Sequence, residues 1–345
     1  MSRERRPTVR HCGIDVHART SELCEVSARG KVIRRERMAT TQAGFRRRFE
    51  GSAKTRLVME CSGSTPWIVR LLTELGHEVV VVNPRRVRLI AESTLKCDRV
   101  DAEILARLSR MDPELLRPVY QRSYEGQLLR TRLRLRSSLV QARGALINQV
   151  RGTLRAHGAP MSSCTAKGFV ARFATHRPAD DLREVLEPLV GAIGELTGRI
   201  EVLERQLVEE SQSDELLERL QEVPGVGPLV SLSFVAWVDR AERFAKSRDV
   251  GACLGLRPTL RESGGVTRRG AITREGDNNM RWLLVQAAHA ALAVRRDSAL
   301  KRWAEAVVAR VGKKRGIVAL ARKLGVLLHA LWVTGDSYRP FPTAT

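Results

Sequence analysis

The chain of 345 residues has only six cysteines, at positions 12, 24, 61, 97, 164 and 253, and no two of them form a C-x-x-C pair. That spacing excludes a zinc knuckle and a disulfide framework, and predicts reduced thiols that pack as small apolar groups. Cys12, Cys61 and Cys97, each near an acidic residue, are read the same way. No stretch reaches the roughly 18 uninterrupted apolar residues needed to span a bilayer. The best attempt, 316–335, is broken by Arg322, Lys323 and His329. The opening Met-Ser-Arg-Glu-Arg-Arg-Pro has no apolar segment of the kind a secretory signal needs, so the expectation is a cytoplasmic protein without a membrane partner. Acids are also scarce: 38 Asp+Glu face 60 Lys+Arg, a formal charge of +22, with a pI near 11.0. In a chain that is 43% hydrophobic, hence one that folds, this imbalance points to a polyanion, with nucleic acid ahead of an anionic membrane surface. The length suits two or three domains.

Against that scarcity, four acids stand in unusual places. Asp15 lies in His-Cys-Gly-Ile-Asp-Val-His and Glu60 in Leu-Val-Met-Glu-Cys-Ser-Gly, each interrupting a short apolar run rich in strand formers. Asp98 and Asp101 are three positions apart, so a helix projects them from one face. Carboxylates gathered this way suit a hard divalent cation that neutralises their repulsion, with Mg²⁺ the natural choice and Mn²⁺ its substitute. Two such ions about 4 Å apart stabilise both oxygens of an in-line phosphoryl displacement.

The order of elements gives these acids a frame. Segments 12–18, 22–28 and 31–38 read as a strand meander with a tight turn at Gly30, 41–49 as a helix, 56–61 as a strand, 66–75 as a helix with Pro66 in its first turn, and 78–82 as a buried strand. Three strands, helix, strand, helix, strand and then helix is the order of an RNase H-like (RuvC-like) domain. In that fold, acids on the first strand, the fourth strand and a late helix converge at one edge of the sheet.

The middle of the chain reads as helical. Between Arg122 and Arg155 eight arginines (122, 130, 132, 134, 136, 143, 151 and 155) face one acid, Glu125. This is more than i, i+4 pairing within the helix can cancel, and it marks Arg130, Arg134, Arg143 and Arg151 as candidate phosphate contacts. After a break at Gly158, Ala159 and Pro160 and an irregular connector over 161–180, Leu186, Leu189, Ile193, Leu196, Ile200, Leu203 and Leu207 alternate spacings of three and four. That seam predicts a coiled coil, with the basic helix or with another subunit, and Pro188 sets the expected start of its straight helix.

The last third opens on Val-Pro-Gly-Val-Gly-Pro. Gly225 and Gly227 fit either a helix-hairpin-helix turn offering backbone N–H groups to a DNA phosphate or an ordinary interhelical turn. Downstream, Gly264, Gly265, Gly270 and Gly276 alternate with Arg261, Arg268, Arg269 and Arg274. Glycine permits close backbone approach and arginine forks grip phosphate oxygens. Asp277 reads as the N-cap of a helix over 278–294. His289 and His329 lie in apolar helical runs and read as packed groups.

Taken in order, the four acids, Pro-Gly-Val-Gly-Pro, Gly-Leu-Arg-Pro, Ser-Gly-Gly, Gly-Ala-Ile-Thr-Arg-Glu-Gly-Asp and Met-Arg-Trp-Leu-Leu resemble the DEDD insertion-sequence transposases of the IS110/IS1111 group, from about residue 10 to about residue 335. Members of that group carry two serines before the paired glycines; here Glu262 and Ser263 stand there, leaving Ser263 as the match to the reactive serine, with Thr267 and Thr273 as reserves. The resemblance implies an α/β plus α architecture: a RuvC-like metal-binding domain over 10–118, a helical coiled-coil linker over 119–215 and a mostly helical C-terminal serine domain over 216–338. It implies a site-specific recombinase that moves its own element, guided by a structured bridge RNA that pairs with double-stranded donor and target DNA. It implies a tetramer built from dimers, Asp15, Glu60, Asp98 and Asp101 on Mg²⁺, and Ser263 as the nucleophile of a covalent phosphoserine intermediate. The alternatives are a RuvC-like structure-specific endonuclease that activates water, and a non-catalytic nucleic-acid-binding scaffold.

Overall fold

The computed structural model describes residues 10–84, 98–111, 116 and 118–341 apart from 264 and 265, without the side chains of 98, 99, 261, 263, 266, 267 and 269. It is mixed α/β and divides into two compact units, Met1–Arg122 and Ser123–Thr345. The long helices of the middle therefore belong with the C-terminal segment.

In the first unit, β1 (Arg10–Val16), β2 (Thr20–Val26) and β3 (Val32–Ala39) form the expected meander, and β4 (Thr55–Glu60) and β5 (Glu78–Val82) extend the sheet beyond β1. The strand order is β3-β2-β1-β4-β5, with β1, β4 and β5 parallel and the first three strands antiparallel. This is the RNase H-like topology. Alternation along the strands sorts the core into two layers. Cys12, Ile14, Leu57 and Met59 pack against Phe45 and Phe49 of α1 (Gln42–Phe49) and Ile68 and Leu72 of α2 (Thr65–Glu74). Their neighbours Val58, Val80 and Val82 pack on the opposite face against Leu105 and Leu108 of α3 (Asp98–Leu108). Thr41 starts α1, its Oγ1 accepting from the Gly44 N–H at 3.1 Å.

In the second unit, α4 (Tyr124–Ala156) and α6 (Asp180–Gln212) lie side by side. Arg132 meets Glu210 at 2.6 Å, Arg136 meets Glu204 at 2.5 Å and Arg143 approaches Thr197 at 3.4 Å, so numbers rise on one helix as they fall on the other. The pairing is an antiparallel hairpin within the chain. Ile147, Val150 and Leu154 of α4 bury Leu186, Val190 and Ile193 of α6, together with Phe169 and Phe173 from a short helix α5 (Phe169–Thr175). The connector over 161–180 is therefore not wholly irregular: its two phenylalanines close the open end of the hairpin. Nor does the long helix start at Pro188. It starts eight residues earlier, because Pro188 and Glu184 are both exposed and the carbonyl that loses its helical partner can be hydrated. An interior proline costs about 3 kcal/mol; burial of Leu186, Val190 and Ile193 around it offsets that.

The rest of the unit comprises α7 (Glu215–Gln221), α8 (Pro228–Val238), α9 (Arg248–Cys253), a β6 (Pro258–Ser263) and β7 (Val266–Ile272) pair, α10 (Asn278–Ala293), α11 (Ala299–Val311) and α12 (Lys313–Thr334). Asp277 caps α10 as expected, Oδ1 accepting from the Met280 N–H at 2.9 Å. α12 is long and apolar enough to cross a membrane, yet Ile317, Leu320, Ala321, Leu324 and Leu328 are buried in the core of this unit. Its hydropathy reflects packing on other helices.

Candidate active site

Strand register brings the first two acids together. Ile14 pairs with Met59 across parallel β1 and β4, so Asp15 and Glu60 are the next residues on neighbouring strands, at the same end of the sheet. Both follow residues that face α1 and α2, so alternation turns them to the other face, where α3 lies. Gly13 shows how closely α3 approaches: a Cβ there would stand 2.1 Å from the Ala102 carbonyl oxygen and 2.2 Å from the Ala106 nitrogen. His11, two residues earlier on β1, reaches the Ser109 carbonyl at 3.1 Å through Nδ1. The helix thus runs antiparallel to β1. Its first turn, with Asp98 and Asp101, comes to the strand end that carries Asp15 and Glu60.

Side chains around this convergence are specific. The Asp15 carboxylate and the His17 imidazole are 3.1 Å apart. Among the described residues no three His, Cys, Asp or Glu groups already close on one ion; the Asp98 side chain is not one of those described. Carboxylate oxygens are the donor type that a hard divalent cation takes. His17 was not singled out in the sequence, although the Asp-Val-His spacing puts it on the same side of the strand as Asp15.

Ser263 ends β6 and pairs with Val266, the first residue of β7, so the Gly- and Arg-rich segment is a β-hairpin with the serine beside its turn. Gly264 and Gly265 lie between them, outside the described residues. The ladder sets Arg261 directly opposite Arg268. Arg268 and Arg274 are exposed, and Arg274 has a left-handed backbone, φ +56°. Gly225 is left-handed too, φ +82°, and a Cβ on it would lie 2.2 Å from the Ala287 carbonyl oxygen. That glycine is required by packing against α10. Gly227 is the N-cap of α8.

Two family models match the chain: a transposase model of the DEDD IS110 type over residues 12–158 and the "Transposase IS116/IS110/IS902 family" over residues 217–304. A probable family 20 transposase of Pseudomonas aeruginosa is 31% identical over 339 residues, 95% of this chain and 98% of its own length. The chain belongs to the IS110 family of DEDD transposases. The transposase for insertion sequence element IS1111A of Coxiella burnetii is 30% identical, spanning 95% of this chain and 90% of its own. The transposase for IS1328 of Yersinia enterocolitica is 28% identical, spanning 96% and 99%.

This IS110-family transposase is therefore a DNA-acting enzyme, and DEDD domains of its class generally use divalent metal ions. Its basic helix is less open to DNA than its arginine count suggests. Arg143 is only 7% exposed, Arg130 forms an ion pair with Asp277, and Arg151 donates to the Cys164 sulfur at 3.2 Å with its guanidinium 5.7 Å from the Phe169 ring centre. The charge imbalance is relieved from across the hairpin, where α6 supplies Glu204 and Glu210. Arg134 and Arg155 remain exposed.

Proposed function

We propose that the transposase is a bridge-RNA-guided recombinase that cuts and rejoins donor and target DNA through a phosphoserine at Ser263, in the cytoplasm, with Asp15, Glu60, Asp98 and Asp101 holding Mg²⁺ or, as a substitute, Mn²⁺. The observation that carries the reading is the strand register. It sets Asp15 beside Glu60 on the face that α3 approaches with Asp98 and Asp101. A cation held by Asp15, Glu60, Asp98 and Asp101 would supply Lewis-acid polarisation of a phosphoryl oxygen and offset charge on the entering and leaving oxygens. Ser263 attacks phosphorus; the Oγ–P bond forms as the P–O bond to the leaving strand end breaks, and that end departs as a hydroxyl carrying the proton the serine gives up. The phosphoserine keeps one phosphodiester for another, so reversal rejoins strands without an outside energy source.

The arginine ladder supports a nucleic-acid role for the hairpin. Like charges opposite each other in an antiparallel pair destabilise it unless an anion lies between them, and Arg261 opposes Arg268. A DNA or RNA phosphate supplies that anion. Assembly into a tetramer built from dimers fits the solvent-facing side of the long hairpin, where Leu135 and Val202 are each 51% exposed and, with Leu139, Gly198 and Leu203, line one groove. A second copy packing a coiled-coil seam there would cover it.

Denaturing gels of the enzyme with labelled element ends test the chemistry. Ser263→Ala removes the covalent protein–DNA adduct and leaves DNA binding intact. Cleavage that survives this change identifies a water-using nuclease instead. Asp15→Asn or Glu60→Gln lowers strand exchange about a hundredfold or more; unchanged exchange in both means that the protein is a scaffold. Sequencing RNA that copurifies with the protein, expressed with its flanking DNA, tests guidance: a single structured transcript is expected, and its absence refutes it.

A further inference from the structure

Among its described residues, the β6–β7 hairpin is tied to the rest of the unit chiefly at its base. Leu260 is 66% exposed, Arg268 and Gly270 are exposed, and an isolated two-stranded ribbon has little stability of its own. Whatever aims the hairpin therefore acts where its strands enter and leave the unit. There the loops at the two ends are interlocked. Gly255, φ +67°, has no room for a Cβ, which would stand 2.2 Å from the Glu275 carbonyl oxygen. Gly276, φ +90°, is blocked likewise at 2.1 Å from that of Cys253. Thr273 donates to the Arg257 carbonyl at 3.0 Å and Arg274 to that of Gly255 at 3.2 Å.

One side chain joins both loops to a helix. Arg281, on the first turn of α10 and only 8% exposed, donates from Nη1 to the Leu254 carbonyl at 2.9 Å and to the Glu275 carbonyl at 3.0 Å. Its Nη2 donates to the Asn278 side chain at 2.9 Å. Leu254 precedes β6 and Glu275 follows β7, so one planar guanidinium spans the entry and exit of the hairpin. Among the described residues it has no carboxylate partner, and burying a cation with only carbonyl and amide oxygens around it is costly. A methionine or leucine would fill the same space more cheaply. Nη1 meets both carbonyls while Nη2 holds Asn278, a planar three-point arrangement that the single nitrogen of a lysine cannot reproduce.

We propose that Arg281 is a positioning residue: it clamps the two ends of the hairpin and so fixes the direction in which Ser263 is presented to DNA. Removing the clamp leaves the helical core in place and lets the ribbon swing, which reduces the fraction of time the hydroxyl is aligned for attack. The inference rests on the reading of Ser263 as the nucleophile, but its first consequence, order in the hairpin, does not.

Full-length Arg281→Lys and Asn278→Ala are compared with the unaltered enzyme by hydrogen exchange, thermal unfolding, DNA affinity and single-turnover adduct formation. Asn278 is exposed, so its loss is the gentler change. Expected are at least tenfold faster exchange of amides in 259–263 and 266–272 and a similar slowing of adduct formation in Arg281→Lys, with a smaller change of both in Asn278→Ala. DNA affinity stays within twofold, and exchange in α12 keeps its original rate. Wild-type exchange in the hairpin of both variants, or faster exchange spread equally through α12, overturns the proposal. If the unaltered enzyme forms no adduct, the serine reading fails, and hairpin exchange still decides whether Arg281 is the clamp.

Discussion

A buried thiol resists ionisation, and the thiolate is the reactive form. Burial pushes the Cys12 thiol far above its ordinary range and the Cys24 thiol in the same direction, whereas Cys61, following the last residue of β4, is exposed. Brief treatment with iodoacetamide at neutral pH, read by peptide mass spectrometry, should alkylate Cys61 at least tenfold faster than Cys12 or Cys24. Equal labelling of all three would mean that the sheet core is open. The expectation that Cys61 packs as a small apolar group is thus corrected, because the chain turns out of the sheet right after Glu60. At this scale the sequence was most legible where a residue broke its local pattern. Asp15 and Glu60 interrupt apolar strands and announce themselves. Ser263 does not, since a serine before two glycines is ordinary turn chemistry, and only the resemblance singled it out. Arg281 was invisible because backbone carbonyls, at Leu254 and Glu275, are partners that any residue offers and no sequence pattern marks.

Elements carry the second level of the account, and Gly13 is its most exposed point. No Cβ fits between β1 and α3 there. Gly13→Ala should cost about 1–3 kcal/mol by overpacking, read as a fall in the denaturation midpoint, and should lower strand exchange further than that loss explains by moving Asp98 and Asp101 away from the sheet edge. Full activity in this variant would show that the helix need not approach so closely. The strand meander, both early helices and β5 were readable within about two residues, since alternation, Thr41 and Pro66 mark them locally. The basic helix was also readable as a helix, but the pairing of Arg132 and Arg136 was not, because their glutamates come from α6, some 70 positions away. Arg134 and Arg143 separate the two roles. Arg134→Ala should reduce the slope of log affinity against log salt by about 1, with stability unchanged. Arg143→Ala should lower the unfolding midpoint and leave that slope as it was. The reverse pattern would return Arg143 to the DNA surface.

For the whole molecule, charge and family agree: a net charge of +22 belongs to an enzyme that handles DNA, and the relatives span nearly the entire chain. The division into Met1–Arg122 and Ser123–Thr345 predicts that Met1–Arg122 expressed alone retains cooperative unfolding. A gradual, non-cooperative melt would contradict its independence. The central claim is narrower, that Asp15, Glu60, Asp98 and Asp101 share divalent cations at one edge of the sheet. Anomalous diffraction at the manganese edge from crystals of the DNA-bound enzyme grown with Mn²⁺ tests it most directly. The account predicts an anomalous peak within about 2.5 Å of carboxylate oxygens from at least three of these four residues, lost in Asp15→Asn; a peak elsewhere, or none in an enzyme still exchanging strands, would contradict it.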